Sequence, residues 1–269
     1  MKTIYHYTDI HGLFGVLDKD EFWLTDYRFL NDPSEAIYAE ELLEKNKDTI
    51  LSDCDPTEHE KIYRGLKSTY IGSDPGLSRA YVGSFSNAAD QLSQWRGYCS
   101  KNEGYCIGFK LQELRQLAST FEFTECIYDA DQIVSRWKEL AGKYNNFFKE
   151  GYKLSVSELL GSKGFEDSFN LAVTGSHLRL TAKDAGYHEE KEIRLYKNLS
   201  LANNLNEVCF RPSQGRLVPY IKLKGIKKCI GEIIVGPLGD FEQNYSALYE
   251  YKLQTSSSFE VALSKIRFR

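Results

Sequence analysis

No run of 18 apolar residues occurs in the 269-residue sequence. Its opening MKTIYHYTDI holds neither a long apolar core nor a small-residue cleavage site. A membrane helix and an ordinary secretory leader are therefore not signalled, and we expect a cytoplasmic protein with no membrane partner. The six cysteines (Cys54, Cys99, Cys106, Cys126, Cys209, Cys229) include no CxxC or CxxH spacing, so neither a zinc site nor a disulfide framework is signalled. They read as small buried hydrophobes in a reducing compartment. Basic charge is also not in excess: 34 Lys and Arg against 38 Asp and Glu leave a formal charge of −4. A general attraction to duplex phosphates is not advertised. The basic end, Lys265 to Arg269, reads first as a strand with alternating solvated charges. Five histidines (His6, His11, His59, His177, His188) could build a His-based metal cluster, but none lie three or four apart, which weakens that reading. GxGxxG after a strand, GxxxxGK[ST], HExxH and GxSxG are all missing, and with them the commonest nucleotide, metal and serine-hydrolase signatures.

What is present is an ordinary folding composition, 42% apolar, 27% charged and 13% aromatic, sufficient for a sizeable core. The first stretch reads strand (IYHYT), helix (DIHGLFGVLDKD, Asp9 as N-cap), strand (EFWLTD), then the loop YRFLNDPSE. Helices are predicted from about Ser34 to Leu51 and Thr57 to Tyr70, and IGSDPGLS marks a loop. AYVGSFS reads as a strand, and NAADQLSQWRGYC as a helix capped by Ser86 or Asn87. Asn102-Glu103-Gly104 turns into the strand YCIGF. Residues from about 111 to 180 read as mostly helical, and strands return in EKEIRLYKN, GRLVPYIKL, IGEIIVGPL and FEVALSKIRF. Regular βαβ alternation is absent, so the expected class is α+β, a single domain over 1–269 with a helical insertion at about 111–180.

Three polar groupings stand out: Tyr5-His6-Tyr7-Thr8 on the first strand; Ser84-Phe85-Ser86 leading into the helix of Trp95, Arg96 and Tyr98; and Glu189-Glu190-Lys191-Glu192-Ile193-Arg194. Singly each has a structural reading, as a hydrogen-bonded strand histidine, a core aromatic pair three residues apart, and a solvated edge. Arg194 reads as a neutraliser of Glu192 on the same strand face. In Asn31 to Glu35, a helix cap at Asp32 or Ser34 competes with a ligand contact. Arg211 and Arg216 are further phosphate-contact candidates.

In this order YHYT, WLTDYRFLNDPSE, SFSNAADQLSQWRGYCSKNEGYCIGF, EEKEIRLY, LVPYIKL and IIVGP resemble a widespread bacterial family known only as a domain of unknown function, with motifs YHYT, NDPxE, WxxY and EKExR. More distantly, the order His6, then Ser84-Phe85-Ser86 with Trp95 and Tyr98, then Glu192 is similar to the His-Tyr-Glu and related branches of the ADP-ribosyltransferase superfamily. The middle position departs from that pattern, with Phe85 flanked by serines where a tyrosine stands. The resemblance implies a split β-sheet core with NAD as substrate in a cleft between two small sheets.

It also implies roles. Glu192 would stabilise positive charge on the ribose as the nicotinamide bond breaks, Glu190 would orient or deprotonate an acceptor, and His6 would hold the adenosine-side ribose. The Tyr7 backbone would pair with the nicotinamide amide, and Trp95, Tyr98 or Tyr7 would stack on its ring. Thr8, Ser84 and Ser86 complete the implied cofactor-binding set. The acceptor would be RNA, DNA or protein, in a toxin or antiphage effector with an antitoxin or regulatory protein as partner. Two other readings stay open: a non-catalytic sensor that binds a nucleotide or protein in the same cleft, and a metal-dependent nuclease using Asp32, Glu35, Glu190 and Glu192.

Overall fold

The computed structural model describes residues 2–30, 35–68, 79–99, 104–149, 163–199, 205–213, 215–237 and 240–266. Alternation of Ile4, His6 and Thr8 against Tyr5 and Tyr7 makes a strand, β1 (Thr3–Thr8). Asp9 then caps α1 (Ile10–Lys19) by accepting from the Gly12 N–H at 2.8 Å. Any side chain at residue 12 would collide with Thr8, whose Oγ1 lies 1.9 Å from where a Cβ would stand. Asp20, in the left-handed region at φ 56°, turns the chain into β2 (Glu21–Asp26).

The helical stretch after it breaks at Asn46 into α2 (Glu35–Lys45) and α3 (Lys47–Leu51), and α4 (His59–Ser68) follows. Then come β3 (Arg79–Ser86), α5 (Leu92–Tyr98), β4 (Tyr105–Lys110), α6 (Leu111–Leu117), β5 (Glu122–Glu125) and α7 (Ala130–Lys149). The chain continues with α8 (Lys163–Thr181), β6 (Glu192–Leu199), β7 (Cys209–Ser213), β8 (Arg216–Lys224), β9 (Ile230–Val235), α9 (Phe241–Thr255) and β10 (Glu260–Leu263). The predicted loop at Ile71 to Ser78, the Asn31 to Ser34 turn and Arg267 to Arg269 lie outside the described residues.

These strands form one ten-stranded sheet of order β10-β9-β4-β1-β3-β2-β8-β7, with β6 also on β3 and β5 on β6. All the pairs are antiparallel except β9 with β10. The class is α+β. Among the described residues the strands form a single hydrogen-bonded sheet that forks, not two separate small sheets. One edge of β3 pairs with β6 over its whole length. The other edge is shared: Ser86 faces Tyr5 of β1, whereas Tyr81 and Val82 face Asp26 and Thr25 of β2. Residues 83–85 lie between these pairings, where β1 and β2 part.

The main core packs α1, α6 and α9 on one face of the sheet through Leu13, Leu17, Leu114, Phe85, Ile193 and Leu248. A second core joins α2, α3, α4, α7 and α8 around Trp137, whose indole N–H donates to Ala39 O. Tyr27, Ala80, Val82, Leu180 and Tyr196 weld this helical lobe to the other face of β3 and β6. The lobe therefore draws on residues 35–68 as well as on the predicted insertion, and the insertion itself contains a strand, β5, at the sheet edge. Four-residue β5 has too short an alternation to announce itself.

Candidate functional site: a cleft at the fork of the sheet

Across antiparallel strands, directly opposed residues share a face. Tyr5, Ser86 and Glu192 stand in one such row, while His6, Phe85 and Ile193 belong to the opposite face. The His6 ring fills the fork. It meets Phe22 edge-on at 4.9 Å and lies tilted 6.0 Å from Phe85. Gly83 permits this, because a Cβ there would sit 2.4 Å from the Phe22 ring. The Ser84 carbonyl, left by both β1 and β2, is 2.9 Å from His6 Nδ1. A carbonyl only accepts, so Nδ1 carries the proton. Burial lowers the imidazole pKa below 6.5, against a smaller raising effect of the Ser84 bond. The ring is accordingly neutral, with Nε2 an acceptor that has no partner among the described residues.

On the other face, β6 is entered through a six-residue 3₁₀ helix, Ala185–Glu190, and Lys191 at φ 45°. Glu190, first residue of the predicted strand EKEIRLYKN, therefore sits at the end of this helix and not on β6 with Glu192. Lys183 joins the two carboxylates: its Nζ is 2.5 Å from Glu190 Oε2 and 2.7 Å from Glu192 Oε2. Arg194 donates to Glu192 Oε1 at 2.9 Å and to Oε2 at 3.1 Å, as the sequence spacing implied. Burial opposes ionisation of Glu192, yet Arg194 and Lys183 outweigh it and hold the carboxyl well below the usual range. Both Glu192 oxygens are thus engaged, and its backbone N–H donates to Tyr128 Oη at 2.8 Å. Glu190 is the more accessible acid, with Tyr98 donating to its Oε1 at 3.1 Å.

A cleft of about 900 Å³ runs through the fork and is lined by His6, Tyr7, Thr8, Ser84, Ser86, Tyr98, Glu190 and Glu192. Ser86 donates to Glu190 O at 2.6 Å and accepts from Ala88 N, so its hydroxyl braces the acidic turn. Trp95 does not line the cleft. It is 1% exposed, packs edge-on against Tyr7 and donates to Asp90, so a stacking role for Trp95 is not available. The Tyr7 ring is committed likewise, its hydroxyl bonded to Ala88 O and Gln91 N. Tyr98, 37% exposed, lines the cleft. Neither Ser86 nor Asn87 caps α5, which starts at Leu92 behind Gln91; Asp90 at φ 49° intervenes, held by Trp95, Ser264 and the Lys265 amide.

Lys183 was invisible in the sequence because its partners come from a different element, and a lone Lys after a helix carries no pattern. Trp23, Thr25 and Arg211 form another wall of the cleft; Arg216 is exposed on β8. Asp32 lies outside the described residues, and among those described no three His, Cys, Asp or Glu side chains converge to hold a metal. None of the six cysteines forms a disulfide.

Residues 94–195 match the family described as "Protein of unknown function (DUF2971)". That span runs from α5 into β6 and contains Tyr98, Lys183, Glu190, Glu192 and Arg194, the whole ion cluster. No curated protein and no solved structure matches the chain.

Proposed function

We propose that the cleft binds NAD and transfers its ADP-ribose to a macromolecular acceptor, a nucleic acid or a protein. The observation that carries this reading is the meeting, in one cleft at the fork, of a neutral His6 with a free acceptor nitrogen and the Lys183-bridged pair Glu190 and Glu192. His6 Nε2 accepts from a ribose hydroxyl. When the bond from ribose C1′ to the nicotinamide nitrogen breaks, its electron pair leaves with nicotinamide and positive charge develops on the ribose. Glu190 faces that charge, and it takes the proton of the acceptor O–H or N–H as the new bond to C1′ forms. Glu192, saturated by two cations, holds Lys183 and thereby Glu190 in place. The roles implied for the two glutamates by resemblance are thus exchanged.

Incubation of the protein with NAD, labelled on the adenylate, and separate RNA, DNA and protein fractions tests the reading. Nicotinamide release and label transfer are expected, and Glu190→Gln should abolish both while still binding NAD. Absence of nicotinamide release with every fraction sinks it. A toxin or antiphage role, restrained by an antitoxin, belongs to the same proposal; growth arrest on induction that Glu190→Gln relieves is its expected signature.

The saturation of Glu192 favours a second reading, a sensor that binds the nucleotide without chemistry. NAD binding with no turnover, equally in the wild type and Glu190→Gln, would select it.

A further inference from the structure

Arg211 lies on β7 opposite Val218, in the wall of the cleft formed by β2, β7 and β8. Its guanidinium carbon is 5.6 Å from the Trp23 ring centroid and 5.9 Å from that of Tyr220. One terminal nitrogen donates to Thr25 Oγ1 at 2.9 Å. The Nε atom is buried and has no hydrogen-bond partner. Three other guanidinia have carboxylate partners: Arg28 with Asp26, Arg179 with Glu40, Arg194 with Glu192. Arg211 has no carboxylate at ion-pair distance among the described residues. Glu21, on the same wall, is taken by Lys222 at 3.0 Å and by the Trp23 indole at 3.1 Å. Lys19 adds a second cation, its Nζ 5.5 Å from the Trp23 ring.

A partly buried charge without a counter-charge is costly, and a fold keeps one where an anion completes it. A guanidinium already oriented by two ring faces and one hydroxyl offers its remaining N–H groups as a fork, the geometry that matches phosphoryl oxygens. We propose that Arg211 anchors an anion subsite of the cleft and takes the diphosphate of a nucleotide ligand, with Lys19 as the second cation. The inference rests on the reading of the cleft as a nucleotide site and assigns which part of the nucleotide lies at the β7 wall.

Calorimetric titration of the full chain with ADP-ribose, inorganic pyrophosphate, nicotinamide riboside and a short single-stranded oligonucleotide tests it, using wild type, Arg211→Met and Arg211→Lys. Arg211→Met should weaken ADP-ribose and pyrophosphate about ten- to a hundredfold, the loss of one or two charged hydrogen bonds. Arg211→Lys should fall between, keeping charge without the fork. Nicotinamide riboside, which has no phosphate, should bind all three alike. The ligand-free melting temperature of Arg211→Met should be no lower than wild type, which a purely structural arginine would not allow. Equal ADP-ribose affinity in all three proteins overturns the subsite, as does Arg211 dependence seen with the oligonucleotide alone. If NAD turnover proceeds unaffected by Arg211→Met, the subsite falls and the enzyme reading stands. If ADP-ribose binding depends on Arg211 but NAD is never cleaved, the subsite stands and the enzyme reading falls.

Discussion

The cleft has two charged walls of opposite design. On the β6 wall Glu190, Lys183, Glu192 and Arg194 alternate in sign, each within hydrogen-bonding distance of its opposite. On the β7 wall Arg211 rests on Trp23 and Tyr220 with, among the described residues, a threonine hydroxyl as its hydrogen-bond partner and no carboxylate. The first arrangement is complete without a ligand, and the second is not. Removing a member of the first leaves a buried charge exposed to low dielectric, whereas removing Arg211 takes such a charge away. The difference separates what holds the site together from what it holds.

The largest test acts on the matched wall. Arg194 is fully buried and also donates to Leu180 O, tying β6 to the end of α8. Arg194→Met should lower the unfolding free energy in urea by about 3–5 kcal/mol, since of its two cations Glu192 then keeps only Lys183. Glu192→Gln should cost a comparable amount, because Arg194 loses the carboxylate it is bonded to twice and Lys183 keeps only Glu190 of its two acids. It is thus a poor probe of chemistry, although the sequence made it the natural one, and Glu190→Gln replaces it. A loss below about 1 kcal/mol in Arg194→Met would break the comparison.

Acid should attack the same wall. The Glu192 carboxyl is lower in the folded state than its ordinary 4.5. Below that value the unfolded chain binds more protons, so its stabilisation, complete above 4.5, drains as pH falls toward the folded value. His6 adds an earlier loss of the same sign. Its folded pKa lies below 6.5, so the unfolded state protonates first on acidification, and stability present above 6.5 falls beneath it. Stability measured by urea titration between pH 6.5 and 5 should slope by up to about 1.4 kcal/mol per pH unit for this group. His6→Asn should flatten that slope, although His177, also lowered by burial, keeps part of it. An unchanged slope in His6→Asn would mean that the ring is protonated in the fork.

How far the sequence carried the reading depends on how local each determinant is. IYHYT, the Asp9-capped helix and EFWLTD were legible because alternation, a cap and a three-to-four spacing all act within ten residues, and the elements observed match to within a residue. The Glu192 to Arg194 pair was legible for the same reason, i and i+2 on one strand. The fork was not, since it arises when β1 and β2 divide one edge of β3, a matter of long-range register. Lys183 and Arg211 acquire meaning only through partners on other elements, or through the want of one. Trp95 misled because helical spacing beside a tyrosine does not say which side of β1 the pair will occupy; Asp90 decides it by pulling the indole inward.

The smallest expected effect is the sharpest for the comparison, because its sign differs. Arg211→Met keeps an unbranched chain against Trp23 and Tyr220 and removes the buried Nε that lacks a partner, at the loss of one bond to Thr25. The two changes nearly offset, so the ligand-free protein should be unchanged or more stable by no more than about 1 kcal/mol. Saturating ADP-ribose should reverse the ranking, raising the wild-type melting temperature above that of the variant, because a ligand stabilises only as far as it binds. A variant less stable than wild type in both conditions would place Arg211 with the structural charges of the β6 wall, and the two walls would then differ only in their number of partners.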